Sequence, residues 1–201
     1  MPRPRTDIRS RVLEAARERF AAAGVDGSSL RSIAADARTS IGMVYYYFPS
    51  KDALFLAVVE EVYGRLLTDL EQALAAPPDF KSKLLALYTR IAGASALELD
   101  VVRLVVREAL SSSARLESLA QRFSRGHVPL IFQAVAAGVK NGELRHDLHP
   151  VVLMGATLAL GTLPQFAVRV VGKSLPVPLP SAEQLTRQLA EAVLHGIAAP
   201  R

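Results

Sequence analysis

Apolar residues recur every three or four positions along nearly the whole chain, which is the spacing that lines one face of an α-helix. The first series, Val12, Leu13, Ala16 and Phe20, is followed by Gly24, a residue that favours a helix carboxyl terminus. No run of alternating β-branched residues bounded by turn residues predicts a strand. The sequence therefore predicts an all-α protein of about nine helices, the later ones near 79–94, 97–111, 114–140, 150–172 and 182–198.

Two short helices are predicted close to the amino terminus. Ser28 or Ser29 can cap the first, which runs to Ala35 or Ala37, and Ser40 can cap the second, which Pro49 prevents from continuing. Two short helices joined by residues 37–40 have the proportions of a helix-turn-helix, here spanning about 29–48. We therefore expect a three-helix head over residues 6–66 and a larger helical bundle over residues 67–201.

The charge is concentrated in the head. Residues 1–51 hold nine Lys/Arg and five Asp/Glu, so they carry +4 of the formal net charge of +5. This distribution fits a nucleic-acid-binding head on a neutral body, although a solubilising arm would look the same by charge alone. The chain has no cysteine, which excludes a disulfide framework and a thiolate metal site. We expect a cytoplasmic protein with no cofactor and no bound metal, and we interpret His146 and His149 as part of a short loop.

The second short helix has an inner and an outer face. Val44 and Phe48 are spaced to pack inward, whereas Tyr45 and Tyr46 are left largely outward. A phenol there can hydrogen-bond a phosphate or lie against a thymine methyl, and Gly42 permits close approach of a DNA backbone. Ser40 and the free amides of the helix amino terminus can donate to a phosphate.

The residues of the predicted head resemble those of a known protein family. Residues 6–66 resemble the amino-terminal domain of the tetracycline-repressor (TetR) family of transcriptional regulators. The matching positions are Arg11-Val12-Leu13-x-Ala15-Ala16-x-x-x-Phe20-x-x-x-Gly24, Ser28-Ser29-Leu30-Arg31-x-Ile33-Ala34 and Ser40-Ile41-Gly42-Met43-Val44-Tyr45-Tyr46-Tyr47-Phe48-Pro49-Ser50-Lys51-Asp52-x-Leu54. The resemblance implies a homodimeric regulator, more often a repressor, that binds a double-stranded, pseudo-palindromic operator and responds to a small, lipophilic effector.

The resemblance also implies which residues contact DNA. Arg31 and Lys51 would touch phosphates or nearby bases, and the exposed part of 40–47 would contact the operator. The full set of expected DNA contacts is Ser29, Arg31, Thr39, Ser40, Ile41, Gly42, Met43, Tyr45, Tyr46, Tyr47 and Lys51. Two positions depart from the family pattern, because Arg38 stands where glycine is frequent and Ile41 stands where a polar residue is usual.

Residues 151–168 form an uncharged run, at the short end of what spans a bilayer. Gly155, Gly161 and Pro164 interrupt it, which favours a buried helix over a membrane helix. Such a helix needs cover on most sides, and a second copy of the chain can supply it. The resemblance implies that the last two helices form a four-helix dimer interface, with an intramolecular core as the alternative; the candidate interface residues are Ala159, Phe166, Leu185, Leu189 and Val193.

The family's effector pocket would lie among the helices between 79 and 140. Glu108 falls on the apolar stripe of one helix, and Phe123 and His127 fall on another, so we take these three as candidate pocket residues. The competing interpretation is that Glu108 pairs with a neighbouring arginine and that His127 is a hydrogen-bonded core residue. Two other function classes remain open, a sequence-indifferent DNA-coating protein and, with less support, a helical-bundle enzyme.

Overall fold

A computed structural model describes residues 5–75, 78–174, 176 and 178–197. Ala198, the last residue of the final predicted helix, lies outside the described residues. The described residues contain ten α-helices, one 3-10 turn and no strand, which confirms the all-α prediction. The helices are α1 (Arg5–Ala23), α2 (Leu30–Asp36), α3 (Ile41–Tyr47), α4 (Lys51–Ala75), α5 (Phe80–Ala92), α6 (Ala96–Ser111), α7 (Ser113–Ser124), α8 (His127–Lys140), α9 (Pro150–Val171) and α10 (Ala182–Ile197), with the 3-10 turn at Gly172–Ser174.

Local side-chain chemistry sets most helix starts. The hydroxyls of Ser29 and Ser40 accept from the third backbone N–H beyond them, which caps α2 and α3. Asp79 caps α5 in the same way, and Ser95 and Glu98 form a reciprocal capping box at the start of α6. These interactions satisfy amide groups that would otherwise lack partners at each helix amino terminus.

The single helix predicted over 114–140 is wrong, because the chain forms two helices there. α7 ends at Ser124, and α8 begins at His127 after Gly126. Pro129 lies in the first turn of α8, where its missing N–H costs no helical hydrogen bond. In the middle of one long helix the same proline would have removed a bond, so Gly126 and Pro129 together were the signal for the break.

The chain divides into two compact units. Unit 1 contains the residues up to Leu66 together with Ser95–Arg122, and unit 2 contains Leu67–Ala94 together with the residues from Phe123 onward. The expected boundary at residue 66 is therefore only one of three, because α6 and most of α7 group with the amino-terminal helices.

Each unit has its own apolar core. In unit 1 the buried side chains include Phe20, Ile33, Val44, Leu54 and Phe55. In unit 2 they include Leu84, Tyr88, Ile131, Val135 and Leu153.

Helix α9 buries only part of its surface in the described chain. Its segment Pro150–Val170 is long and apolar enough to cross a membrane by length and composition alone, with a mean hydropathy of 1.7, and 22% of it is buried. The prediction of a buried helix is thus met on one face only. The other face exposes Val151, Val152, Leu160, Leu163 and Val170.

Candidate nucleic-acid interface

Helices α2 and α3 and the turn between them pack as a helix-turn-helix within unit 1. The inner face of α3 is fixed by Val44, which is fully buried, and by Phe48 just beyond the helix. Ile33 of α2 and Phe20 of α1 are equally buried in the core of this unit. The packing of Val44 and Phe48 therefore fixes the orientation of α3, and the face of α3 opposite to them is exposed and available to a ligand.

The outer face of α3 carries the exposed aromatic side chains. Tyr45 and Tyr46 are 53% and 67% exposed, which is unusual for side chains of this size. Tyr47, which we expected to point outward, is only half-exposed, and its ring lies edge-on to Tyr46 at 5.1 Å between centroids. Gly42 is exposed, with only the Ser40 hydroxyl oxygen within 4 Å of where a Cβ would stand.

The remaining expected contact residues fall into two groups. Ser29, Arg31 and Ser40 are exposed, whereas Thr39, Ile41 and Met43 are half-exposed. Arg31 makes no ion pair with any other described residue, so its charge is available to an anion.

Lys51 has a structural role that sequence reasoning missed. Its ammonium donates to the backbone carbonyls of Asp26 and Ser28, at 3.2 and 3.1 Å. An ammonium has three donors, so one remains for a phosphate. The lysine therefore ties the start of α4 to the loop between α1 and α2 while keeping a limited capacity to bind an anion.

The turn between α2 and α3 is strained at one position. Arg38 has φ = 50°, the only positive φ of a non-glycine residue in the described chain. The guanidinium of Arg11 donates to the carbonyl oxygen of Ala37 at 2.8 Å and thereby holds the turn. A left-handed conformation costs a residue other than glycine about 1 kcal/mol.

A buried cluster of charges joins α6 and α7 to the rest of unit 1. The guanidinium of Arg115, 7% exposed, donates to carboxylate oxygens of Glu108 at 2.6 Å and Asp52 at 2.9 Å, and also to Asp26. Glu108, 2% exposed, also accepts the backbone N–H of Val25 at 3.0 Å. The hydrogen bond from Arg115 holds the pKa of Asp26 below its usual value.

This cluster decides between the two interpretations of Glu108. The carboxylate is engaged by Arg115 and Val25 in unit 1, so it is an ion-pair residue, and its assignment to the effector pocket is withdrawn. Arg115 itself was missed by sequence reasoning. The available signal was its position four residues before the buried Leu119, on the face of α7 that turns inward.

The other expected pocket and loop residues lie in unit 2. The rings of Phe123 and His127 pack against each other at 5.0 Å between centroids, and both side chains are half-exposed. His149 caps α9, with its Nδ1 accepting the Val151 N–H at 3.3 Å. Asp147 pairs with Arg145, whose hydrogen bond lowers the pKa of Asp147 to about 2.

The expected dimer residues have unequal exposure. Ala159 is exposed, and Phe166, Leu185 and Leu189 are half-exposed. Val193 is 1% exposed within its own chain, so it packs in the core of unit 2 and cannot contribute to an interface. The exposed face of α10 is polar, which leaves the apolar face of α9 as the larger uncovered surface.

In unit 1, α2 and α3 pack as a helix-turn-helix. Buried Val44 fixes the orientation of α3, and Tyr45 and Tyr46 are exposed on its outer face, as in a helix-turn-helix DNA-binding domain. The sequence profile of "Bacterial regulatory proteins, tetR family" matches residues 12–58. These residues, which include α2 and α3, are therefore similar to the part of this family that the profile describes.

Two relatives are named as a regulator protein and a transcriptional repressor. The chain is 21% identical over 152 residues to the fatty acid metabolism regulator protein of Bacillus subtilis, covering 76% of this chain and 77% of that protein. It is 36% identical over 76 residues to the HTH-type transcriptional repressor NicS of Pseudomonas putida, covering 33% of this chain and only 36% of NicS.

Two solved structures share the fold over nearly the full length. FadR from Bacillus subtilis, in complex with stearoyl-CoA, is 19% identical with a TM-score of 0.74, over 94% of this chain and 98% of that one. The ketosteroid regulator KstR2 of Mycobacterium tuberculosis is 22% identical with a TM-score of 0.69, over 96% and 95% of the two chains.

Proposed function

We propose that this protein is a cytoplasmic, ligand-responsive repressor that binds a pseudo-palindromic DNA operator as a homodimer. The observation that carries the proposal is the two-sided α3, whose Val44 is buried while Tyr45 and Tyr46 are exposed. A helix of this kind enters the major groove with its outer face toward the base edges. Arg31, Ser29 and Ser40 are exposed beside it and suit contacts to phosphates.

DNA binding is tested by selecting duplexes from a random pool and comparing their affinity with that of random duplex of equal length. The expected result is an inverted repeat bound at least 10³-fold more tightly than random DNA, as is typical of specific DNA-binding proteins. Tyr46→Ala should lower this ratio more than it lowers binding to random DNA.

Phe132→Ala is the matched control, because Phe132 is an aromatic residue of unit 2 that is 41% exposed. It should leave both affinities unchanged. A steep salt dependence with no preference between the selected and random duplexes would instead identify a sequence-indifferent DNA-coating protein.

The homodimer is supported by the uncovered face of α9. Val151, Gly155, Ala159 and Leu163 recur every four residues and are all exposed, so they form one apolar stripe on this helix. An apolar stripe of this length on a single chain marks an interaction surface. A single helix-turn-helix unit contacts only half of a pseudo-palindromic operator, so two copies are needed to contact both halves. We therefore assign the stripe to a two-fold interface in which the same residues of both copies meet.

Sedimentation of two variants tests this interface. Leu163→Asp places a charge in the middle of the stripe, since Leu163 is 65% exposed, and should convert the protein to monomer at micromolar concentration. Gln133→Asp introduces a charge at an exposed position of α8, outside both helices that carry candidate interface residues, and should leave the dimer intact. A wild-type protein that sediments as a monomer would remove the dimer from the proposal.

Release from DNA by a small lipophilic effector is the regulatory part of the proposal. A neighbour in fold was solved with stearoyl-CoA and another is named for ketosteroids, so this fold accommodates lipophilic ligands in other proteins. An effector that binds the DNA-incompetent state better by ~1–3 kcal/mol would weaken operator binding roughly 5- to 150-fold.

A further inference from the structure

Helix α3 and the residues beside it carry only apolar, aromatic and hydroxyl side chains. Residues 39–48, all of which the structure describes, contain no lysine, arginine, carboxylate or carboxamide. In the major groove, arginine and lysine recognise guanine, asparagine and glutamine recognise adenine, and carboxylates accept from cytosine. Helix α3 therefore lacks the side chains that recognise three of the four bases by hydrogen bonding.

The outermost positions of α3 are those of Gly42 and Tyr46. They lie one turn apart on the side opposite the buried Val44, and Tyr46 is 67% exposed. A Cβ at Gly42 would meet only the Ser40 hydroxyl oxygen, at 3.8 Å, so the surface of the helix is recessed there. Side chains of a helix lean toward its amino terminus, which places the rings of Tyr45 and Tyr46 at the border of this recess.

The hydroxyl groups of this surface discriminate weakly among bases, because a hydroxyl can both donate and accept a hydrogen bond. The Ser40 oxygen already accepts the backbone N–H of Met43 at 3.2 Å, as the cap of α3. The ring of Tyr47 packs edge-on against that of Tyr46 and supports it from one side. The feature of this surface that can select a base is therefore its apolar shape.

We propose that α3 recognises its operator through the C5 methyl groups of thymine, which enter the recess at Gly42 beside the rings of Tyr45 and Tyr46. The inference rests on the proposed DNA-binding function. Among the four bases only thymine presents a methyl group in the major groove, and an apolar surface contacts that group favourably. Arg31 and Lys51 lie outside α3 and suit phosphates, which add affinity for every sequence alike.

The test places base analogues in the duplex that the full-length protein selects from a random pool. Deoxyuridine pairs with adenine as thymidine does and lacks only the methyl group. Replacing the thymines of a half-site one at a time should weaken binding about fourfold at each contacted position, the value for one methyl-sized group removed from water. Binding to random duplex should be the same with thymine and with uracil.

A second analogue separates the methyl contact from changes in the shape of the DNA. 5-Methylcytosine carries its methyl group at the same place in the groove as thymine, on a base with a different hydrogen-bonding pattern. At a contacted thymine, exchange of the T·A pair for C·G should weaken binding. Exchange for 5-methylcytosine·G should recover about fourfold relative to C·G.

Two variants of one residue separate the ring from its hydroxyl. Tyr46→Ala removes the ring and should reduce the wild-type preference for thymine over uracil. Tyr46→Phe keeps the ring and should retain this preference. Phe132→Ala is the matched control, since Phe132 is an aromatic residue of unit 2 that is 41% exposed, and it should also retain the preference.

Three outcomes would overturn the inference and leave the proposed function standing. The first is specific binding with equal affinity for the thymine and uracil duplexes, as expected if the phenols contact phosphates instead. The second is a thymine preference that Tyr46→Phe abolishes, which would assign recognition to the hydroxyl. The third is no recovery with 5-methylcytosine, which would assign the uracil effect to DNA shape. Failure to select any duplex would refute the proposed function, and this inference with it.

Discussion

Removing Arg115 should destabilise unit 1 strongly, because its guanidinium is the main partner of a buried carboxylate. Arg115→Met keeps the length of the side chain but leaves Glu108, which is 2% exposed, without its 2.6 Å ion pair. Loss of one partner of a buried pair costs about 3–5 kcal/mol. Glu108 retains the Val25 N–H and a longer contact to Arg107 at 3.4 Å, so we expect the lower end, about 3 kcal/mol.

The two other carboxylates add little to this value. Asp26 and Asp52 have side chains that are 71% and 64% exposed, so water screens their attraction to Arg115. The assay is urea unfolding followed by circular dichroism. Arg103→Met is the control, because Arg103 forms an exposed pair with Asp100 and should change stability by less than about 0.5 kcal/mol.

A double variant separates pairing from packing. In Glu108→Met/Arg115→Met no buried charge is left unpaired, so the double variant should lose less than Arg115→Met alone. If Arg115→Met costs no more than the Arg103 control, Glu108 does not depend on the ion pair and our reasoning about this cluster is refuted.

Three further predictions concern backbone strain, packing and pH. Arg38→Gly should stabilise unit 1 by up to about 1 kcal/mol in thermal unfolding, because glycine adopts φ = 50° without strain; equal or lower stability would mean that the turn is unstrained. Gly161→Ala should destabilise by about 1–3 kcal/mol, since its Cβ would overlap the buried Tyr88 ring, whereas Gly64→Ala, with nothing closer than 3.8 Å, should stabilise or be neutral. The hydrogen bond from Arg19 lowers the pKa of Asp36 from its usual 3.8, so this pair stabilises the fold above that pH and its contribution is lost as the pH falls through the lower folded-state pKa. The stability difference between wild type and Asp36→Asn should therefore shrink between pH 6 and pH 3, and a difference that stays constant would contradict the pairing.

Features set by neighbouring residues were predictable from the sequence. Ser29 and Ser40 cap α2 and α3 through hydrogen bonds that span three residues, so the helix-turn-helix could be located within a residue or two. The outward positions of Tyr45 and Tyr46 followed from helical geometry and the inward Val44.

Features set by contacts between distant residues were not predictable in this way. Arg115 meets Asp26 across 89 positions and Asp52 across 63, and no local pattern reports such a pair. Val193 lies on an apolar stripe of α10, and periodicity does not say whether a stripe packs in its own chain or against a second copy. The same ambiguity led us to expect a more fully buried α9 than the structure shows.

The central claim is that the outer face of α3 lies in a groove of DNA, and hydroxyl-radical footprinting on a selected duplex tests it directly. We predict two protected patches whose centres are one helical turn, or a multiple of it, apart, and we predict that both weaken in Tyr46→Ala and persist in Phe132→Ala. Uniform protection along the duplex, or patches that are the same in wild type and Tyr46→Ala, would contradict the account.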